Sequence, residues 1–396
     1  MSVNAPNDNV LELKGLKVRF DTYEGLVKAL EGVNFNIKSK ETFGIVGETG
    51  CGKSVTAKSI MRLISSPGKI TDGEILFKRE NNGVIDILEL SDKEVREIRG
   101  DEISMIFQEP GEALNPVYTT GYQLKEAILS HQSNEFLKEI KNEIEREIEE
   151  EDSYIKKKLL NTQIKLIKRN IKKEDSRLTK YLSKIPLING YKDKLSEKAK
   201  EKAINLLEDV ELSEPEEIYK NYPHELSGGQ KQRVIIAMAL SSEPTLLTAD
   251  EPTSSLDVSI QSKILSLLDE LKEEHNLSIL YITHNLGVVA QICDRVGVMY
   301  SGRIVEIANV NDIFENPLHP YTISLIEAIP SSEKEELNPI GGVVPNLVNP
   351  PSGCRFHPRC PRANERCKKK RPSLKELEKD HWVECYHSGD KDGELN

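Results

Sequence analysis

Residues 47–54, GETGCGKS, constrain this chain more than any other stretch. They fit the spacing G-x-x-x-x-G-K-[ST] and stand in the right surroundings. Upstream, Thr42-Phe43-Gly44-Ile45-Val46 is a short apolar run that predicts a buried strand; downstream, Ala57, Ile60, Met61 and Ile64 recur with helical period. Strand, glycine turn and helix in that order make a phosphate-binding loop. Gly47, Gly50 and Gly52 let backbone N–H groups converge on phosphate oxygens at the positive end of the following helix. Lys53 brings a point charge to the β- and γ-phosphates, and the Ser54 hydroxyl is a ligand for Mg²⁺. Glu48, Thr49, Cys51 and Val55 complete the nucleotide-contacting segment, with Cys51 read as a small residue presenting its backbone.

Composition narrows the class. The 396 residues carry 65 acidic and 54 basic side chains, a net charge of −11, which argues against a nucleic-acid protein held by bulk positive charge. No window approaches 18 apolar residues, so no bilayer-spanning helix is predicted. The opening MSVNAPNDNV has neither the charged nor the apolar region of a secretory signal. Further buried parallel strands are predicted over 245–249 and 278–283, and a hairpin over 296–299 and 304–307.

Asp250-Glu251 closes the first of those strands. A carboxylate at the end of a buried strand is costly unless a cation or donor meets it. Asp250 is therefore the expected magnesium partner, and Glu251 the group that polarises an attacking water. Ser227-Gly228-Gly229-Gln230, within HELSGGQKQR, opens an apolar helical run and forms a second anion-binding nest. A second nest makes sense if it closes over nucleotide held by another subunit.

With LSGGQ in place, the chain resembles the ATP-binding cassette family. That resemblance implies an α/β fold: a P-loop NTPase core of the ABC type, an antiparallel β subdomain and a helical subdomain. It implies a head-to-tail dimer, with Ser227 and Gly229 on the partner's γ-phosphate. Gln108, in SMIFQEP, matches the glutamine that reaches toward Mg²⁺ and water. His284 matches the switch histidine at the γ-phosphate, and Ser254-Ser255-Leu256-Asp257 the loop linking two sites. Tyr23 is the candidate for stacking on adenine, with Phe20 its competitor.

Finer resemblance, in GKSVTAKSIMRL, YPHELSGG, ITHNLGVVAQICDRVGVMYSGRIVE and ENPLHPYT, points to the ATPase subunits of dipeptide, oligopeptide and nickel importers. The expected organisation is an ATPase domain over 1–310, a helical subdomain over 109–236 and a C-terminal extension over 311–396. The implied cofactors are ATP and Mg²⁺. The implied partners are two transmembrane permease subunits, a homologous second ATPase and, indirectly, an external binding protein, with the chain on the cytoplasmic face of the membrane. Nickel or another small solute is an alternative cargo, and a soluble chromosome-maintenance ATPase an alternative class.

Two features depart from a bare cassette. A charged insertion over about 131–200 has nine acidic and three basic residues over 135–152, then eight basic and no acidic residues over 155–173. Two forms fit this stretch: one long projecting helix, or an acidic arm folded on a basic arm with its turn near Asp152-Ser153-Tyr154. The second is preferred, because opposite charges would then face each other. Cys354, Cys360, Cys367 and Cys385, separated by five, six and seventeen residues, mark the tail. Those gaps exceed the usual pair spacing of zinc sites; four thiolates also suit a 4Fe–4S cluster, and CRFHPRCPRANERC resembles importer-ATPase tails said to hold one. Cluster, Zn²⁺ and free thiols all stay open, with His357, His381 and His387 near enough in sequence to substitute.

Overall fold

The computed structural model describes residues 8–79, 83–108, 113–171, 190–254, 256–329 and 340–388. They form two compact units, one of residues 1–108 with 244–396 and one of 109–243.

The first unit is built on two sheets. Strands β1 (Asn9–Thr22), β2 (Gly25–Lys38), β4 (Gly68–Arg79) and β5 (Gly83–Asp86) make an antiparallel sheet in the order β2-β1-β4-β5. Alternation along β2 puts Val33, Phe35 and Ile37 into the core, as the sequence pattern requires. The second sheet also contains β3 (Thr42–Val46), β6 (Ile103–Ile106), β7 (Leu246–Asp250), β8 (Ser278–Thr283), β9 (Arg295–Tyr300), β10 (Arg303–Asn309), β11 (Lys375–Glu378) and β12 (His381–Val383). Its order is β11-β12-β10-β9-β3-β8-β7-β6, with the stretch from β9 to β6 parallel. Every residue of β3, β7, β8 and β9 is buried, which is why those strands read as unbroken apolar runs. Parallel strands point their carboxyl ends the same way, and that edge is where an open α/β sheet binds ligand. Residues following β3, β6, β7 and β8 are those singled out above.

The predicted hairpin forms between β9 and β10. Ser301 and Gly302 both take positive φ, 46° and 78°, the pairing that matches strand twist in a two-residue turn.

In the second unit, helix Thr120–Glu150 runs antiparallel to helix Tyr154–Ile171 across a connection at 151–153, where the sequence placed the turn. Ile140 and Ile144 meet Ile164 and Ile167 in an apolar seam that Tyr191 of helix Gly190–Asp209 closes. The acidic arm finds different cations from those expected. Glu139 and Glu143 pair with Lys198 at 3.0 and 2.9 Å, and Glu147 with Lys194, all on helix Gly190–Asp209. Isoleucines fill the face between the two arms, and an ion pair between them lies at the turn, where Lys156 meets Glu151 at 3.2 Å.

Candidate nucleotide site

The loop from β3 into helix Lys53–Ile60 follows the predicted path. A Cβ at Gly47 would stand 2.1 Å from the Met299 carbonyl oxygen, so no side chain fits there, and Gly52 turns at φ 112°. Lys53 is buried and folds back, donating to the carbonyls of Gly47 at 2.7 Å and Glu48 at 3.2 Å. One of its three donors remains for a phosphate oxygen. The Ser54 hydroxyl donates to Asp250 Oδ1 at 3.0 Å. Burial holds the Asp250 carboxyl above the usual carboxylate range; Glu251 beside it pushes the same way, and the Ser54 hydrogen bond works against both.

Glu251 sits one residue past β7 with φ 48°, its N–H given to the Ile282 carbonyl at 2.9 Å. Its carboxylate is gripped from two sides: His284 Nδ1 lies 3.0 Å from Oε1, and Gln108 Nε2 donates to Oε2 at 3.3 Å. An ionised carboxylate only accepts, so with Glu251 charged Nδ1 carries a proton, whatever Nε2 holds. Thr49, Gly50, Gly52, Lys53, Ser54, Val55, Gln108, Glu251 and His284 all line one cavity of about 520 Å³. The arrangement joins an anion cradle, a pair of oxygen ligands suited to a hydrated Mg²⁺, and an oriented carboxylate.

In the second unit, Ser227 caps helix Gly228–Leu240. Its hydroxyl accepts from the Gln230 N–H at 3.3 Å while Gln230 Oε1 accepts the Ser227 N–H at 2.9 Å, a reciprocal capping box. Gly228 is exposed and Gly229 buried. Of the linking loop, Asp257 caps helix Val258–Glu274 through the Ile260 N–H at 3.0 Å, and Ser255 lies outside the described residues.

Comparison with known proteins places this geometry. A family model described as ABC transporter matches residues 30–254, and one described as Oligopeptide/dipeptide transporter, C-terminal region, matches 305–367. The dipeptide transport ATP-binding protein DppD of Bacillus subtilis is 41% identical over 383 residues, 96% of this chain and 95% of that protein. The oligopeptide transport ATP-binding protein OppD of Escherichia coli is 38% identical over 381 residues, 96% of this chain and 93% of that protein. The chain belongs to the ABC transporter family. Among solved structures, a dimeric ATP-binding cassette in a post-hydrolysis state with ADP and Pi superposes with TM-score 0.52 at 25% identity, covering 76% of this chain and 98% of that one.

Of the two aromatic candidates for the base of a nucleotide, this ABC ATPase brings one to the cavity. Tyr23 stands in the turn after β1, 98% exposed, and does not line the cavity; Phe20, inside β1, does. Sequence reasoning also missed contacts from the C-terminal extension. Tyr321 OH accepts the Glu48 N–H at 3.0 Å, and Arg359 forms a two-pronged pair with the Glu48 carboxylate. A lone arginine near a cysteine motif gives no sequence signal of such a reach.

The four late cysteines of the ABC ATPase are free thiols that neighbour one another. The Cys354 N–H donates to the Cys367 carbonyl at 2.8 Å, and the His387 N–H donates to Cys385 Sγ at 3.4 Å. Burial pushes the thiols of Cys354, Cys360 and Cys385 up to about 11, with the charges of neighbouring thiols adding to the shift. Among the described residues no group of three or more His, Cys, Asp or Glu side chains is set to hold a metal ion. Of the three histidines, His387 Nε2 approaches Cys367 Sγ at 3.7 Å, His357 bonds the Cys354 carbonyl, and His381 is committed to buried Glu306 at 2.7 Å. Among the described residues no helix is long and apolar enough to cross a membrane.

Proposed function

We propose that this chain hydrolyses ATP to drive uptake of di- or oligopeptides, working on the cytoplasmic face of a membrane beneath two permease subunits. The observation that carries the ATPase half is Glu251, held between His284 and Gln108 on the wall of the cavity that the phosphate loop lines. Likeness along nearly the whole chain to dipeptide and oligopeptide transport proteins supports the cargo, over nickel import or chromosome maintenance.

In this reading the loop N–H groups and Lys53 hold the β- and γ-phosphates. Ser54, Asp250 and Gln108 would hold Mg²⁺, which would supply positive charge to neutralise the phosphates. Glu251 orients a water for in-line attack and takes its proton, while His284 fixes the carboxylate and reaches the γ-phosphate. Ser227 and Gly229 close over nucleotide held by a homologous ATPase, so that pairing moves the attached permeases and hydrolysis releases them. The proposed division is an ATPase domain over 1–310, with its helical part over 109–236, and an extension over 311–396.

The extension's four cysteines are proposed as ligands of a 4Fe–4S cluster. Their proximity supports that reading, and the raised thiols would have to ionise on binding. Iron analysis with an absorption band near ~400 nm tests it; protein purified without oxygen that carries neither iron nor that band would refute it. For the whole function, the test is ATP-dependent uptake of a labelled peptide into vesicles containing the co-purifying permeases, the partner ATPase and an external binding protein. Uptake that persists without this chain would refute the assignment.

A further inference from the structure

The apolar end of the nucleotide cavity is not built by the β-subdomain alone. Phe20 of β1, Val27 and Ala29 of β2 and Leu347, from the C-terminal extension, all line it. Leu347 is half-buried, and its segment is tied down by one backbone and one side-chain hydrogen bond. The Lys28 N–H donates to the Leu347 carbonyl at 2.9 Å, so the segment adds on to β2 itself. Asn346 Oδ1 accepts the Val348 N–H at 2.8 Å, a turn that fixes the leucine between them. Val348 then packs where β2 begins: a Cβ on Gly25 would come within 2.8 Å of its Cγ1.

The phosphate loop and Glu251 fix where the charged end of a nucleotide lies, which leaves the apolar end for its base. A planar base gains from flat apolar contact on its faces, whereas Phe20, Val27, Ala29 and Leu347 offer no side-chain donor or acceptor to its edges. We infer that Leu347 is a nucleotide-binding residue, and that the extension completes the base subsite by packing this side chain on the purine ring. The inference rests on the ATP reading of the cavity. It assigns the extension a direct part in holding nucleotide, whatever its cysteines carry. It also accounts for the exposed Tyr23, because an aliphatic wall supplied by the extension covers a ring without a turn residue stacked on it.

The test compares two probes on the full-length protein by titration calorimetry: MgATP, and magnesium tripolyphosphate, which presents the phosphates without a base. Leu347→Ala is expected to weaken MgATP about fivefold, the loss of one leucine's partial contact, while leaving tripolyphosphate affinity unchanged. Leu347→Met, which keeps apolar bulk, is expected to bind MgATP like the wild type. Unchanged MgATP affinity in Leu347→Ala would overturn the inference, and so would an equal loss toward tripolyphosphate, which marks a collapsed site. A wild-type protein that binds tripolyphosphate no worse than MgATP would overturn it too. Wild-type protein that binds neither probe would instead sink the ATP reading itself.

Discussion

Arg359 grips Glu48 across 311 residues of sequence, its two guanidinium nitrogens 2.7 and 3.1 Å from the two carboxylate oxygens. Only 2% of the arginine side chain is exposed; its guanidinium lies 5.8 Å from the Tyr300 ring centre. Glu48 is the second residue of the phosphate loop, so the extension holds the loop by a side chain as well as by Tyr321. Breaking a largely buried pair leaves the other charge stranded, at a cost of about 3 kcal/mol. Arg359→Ala should lower the thermal midpoint and weaken MgATP. Arg359→Lys keeps the charge but loses the fork, and should fall between the two in a melting series with and without nucleotide.

Glu251→Gln keeps the size of the side chain and removes its capacity to take a proton. Hydrolysis at saturating ATP should fall by about 10²- to 10⁴-fold with nucleotide affinity preserved. His284→Ala, which frees Glu251 Oε1, should lower turnover with little effect on affinity. Phosphate release alongside equilibrium binding separates the two quantities. Near-wild-type turnover in Glu251→Gln would remove this residue from the chemistry.

What the sequence made legible was local. Gly47, Lys53 and Ser54 declare themselves because one turn of backbone needs those types at that spacing. Ser301-Gly302 declares its hairpin because two consecutive positive φ values suit few residues. Choosing between Tyr23 and Phe20 required knowing that β1 ends at Thr22, a boundary that pattern alone leaves uncertain by a residue or two. Other features depend on chain returning from far away. Leu347 reaches β2 from the extension, β12 pairs with β10 to seat His381 on Glu306, and Lys198 takes the glutamates that the basic arm was expected to meet. No periodicity within a window encodes such encounters.

The helical insertion gives a contest between packing and charge. Ile144 is 1% exposed, in the seam with Ile164 and Ile167. Ile144→Ala should cost about 2–4 kcal/mol, through lost burial and the cavity left behind. Lys198 makes two ion pairs, at 3.0 and 2.9 Å, but to partly exposed partners. Lys198→Ala should cost less than about 1 kcal/mol, and less again at high salt. Denaturation followed by helical circular dichroism ranks the two; a larger loss for the lysine variant would mean that charge, not the isoleucine seam, holds the arms.

His319 gives the fold a defined weakness to acid. It is 1% exposed, caps helix Pro320–Glu327 by accepting the Tyr321 N–H on Nδ1 at 3.0 Å, and lies 5.7 Å from the Phe356 ring. The charged and titratable groups around it are Glu306, which accepts its backbone N–H at 2.9 Å, His381 on the other side of that carboxylate, and buried Tyr321. Burial pushes His319 down to about 4, with Glu306 pulling weakly the other way. The unfolded chain, near the ordinary value of about 6.5, therefore binds the proton first. Stability is complete above that pH and drains away as pH falls from about 6.5 toward 4, by up to roughly 3 kcal/mol. His319→Asn keeps a capping acceptor without the titrating ring. It should be less stable than wild type at pH 7.5, for want of ring packing, yet lose less between pH 6.5 and 4.5. Carboxylates titrate alike in both proteins, so the difference between the two urea-denaturation series isolates the histidine, and parallel series would show that His319 carries none of the acid sensitivity.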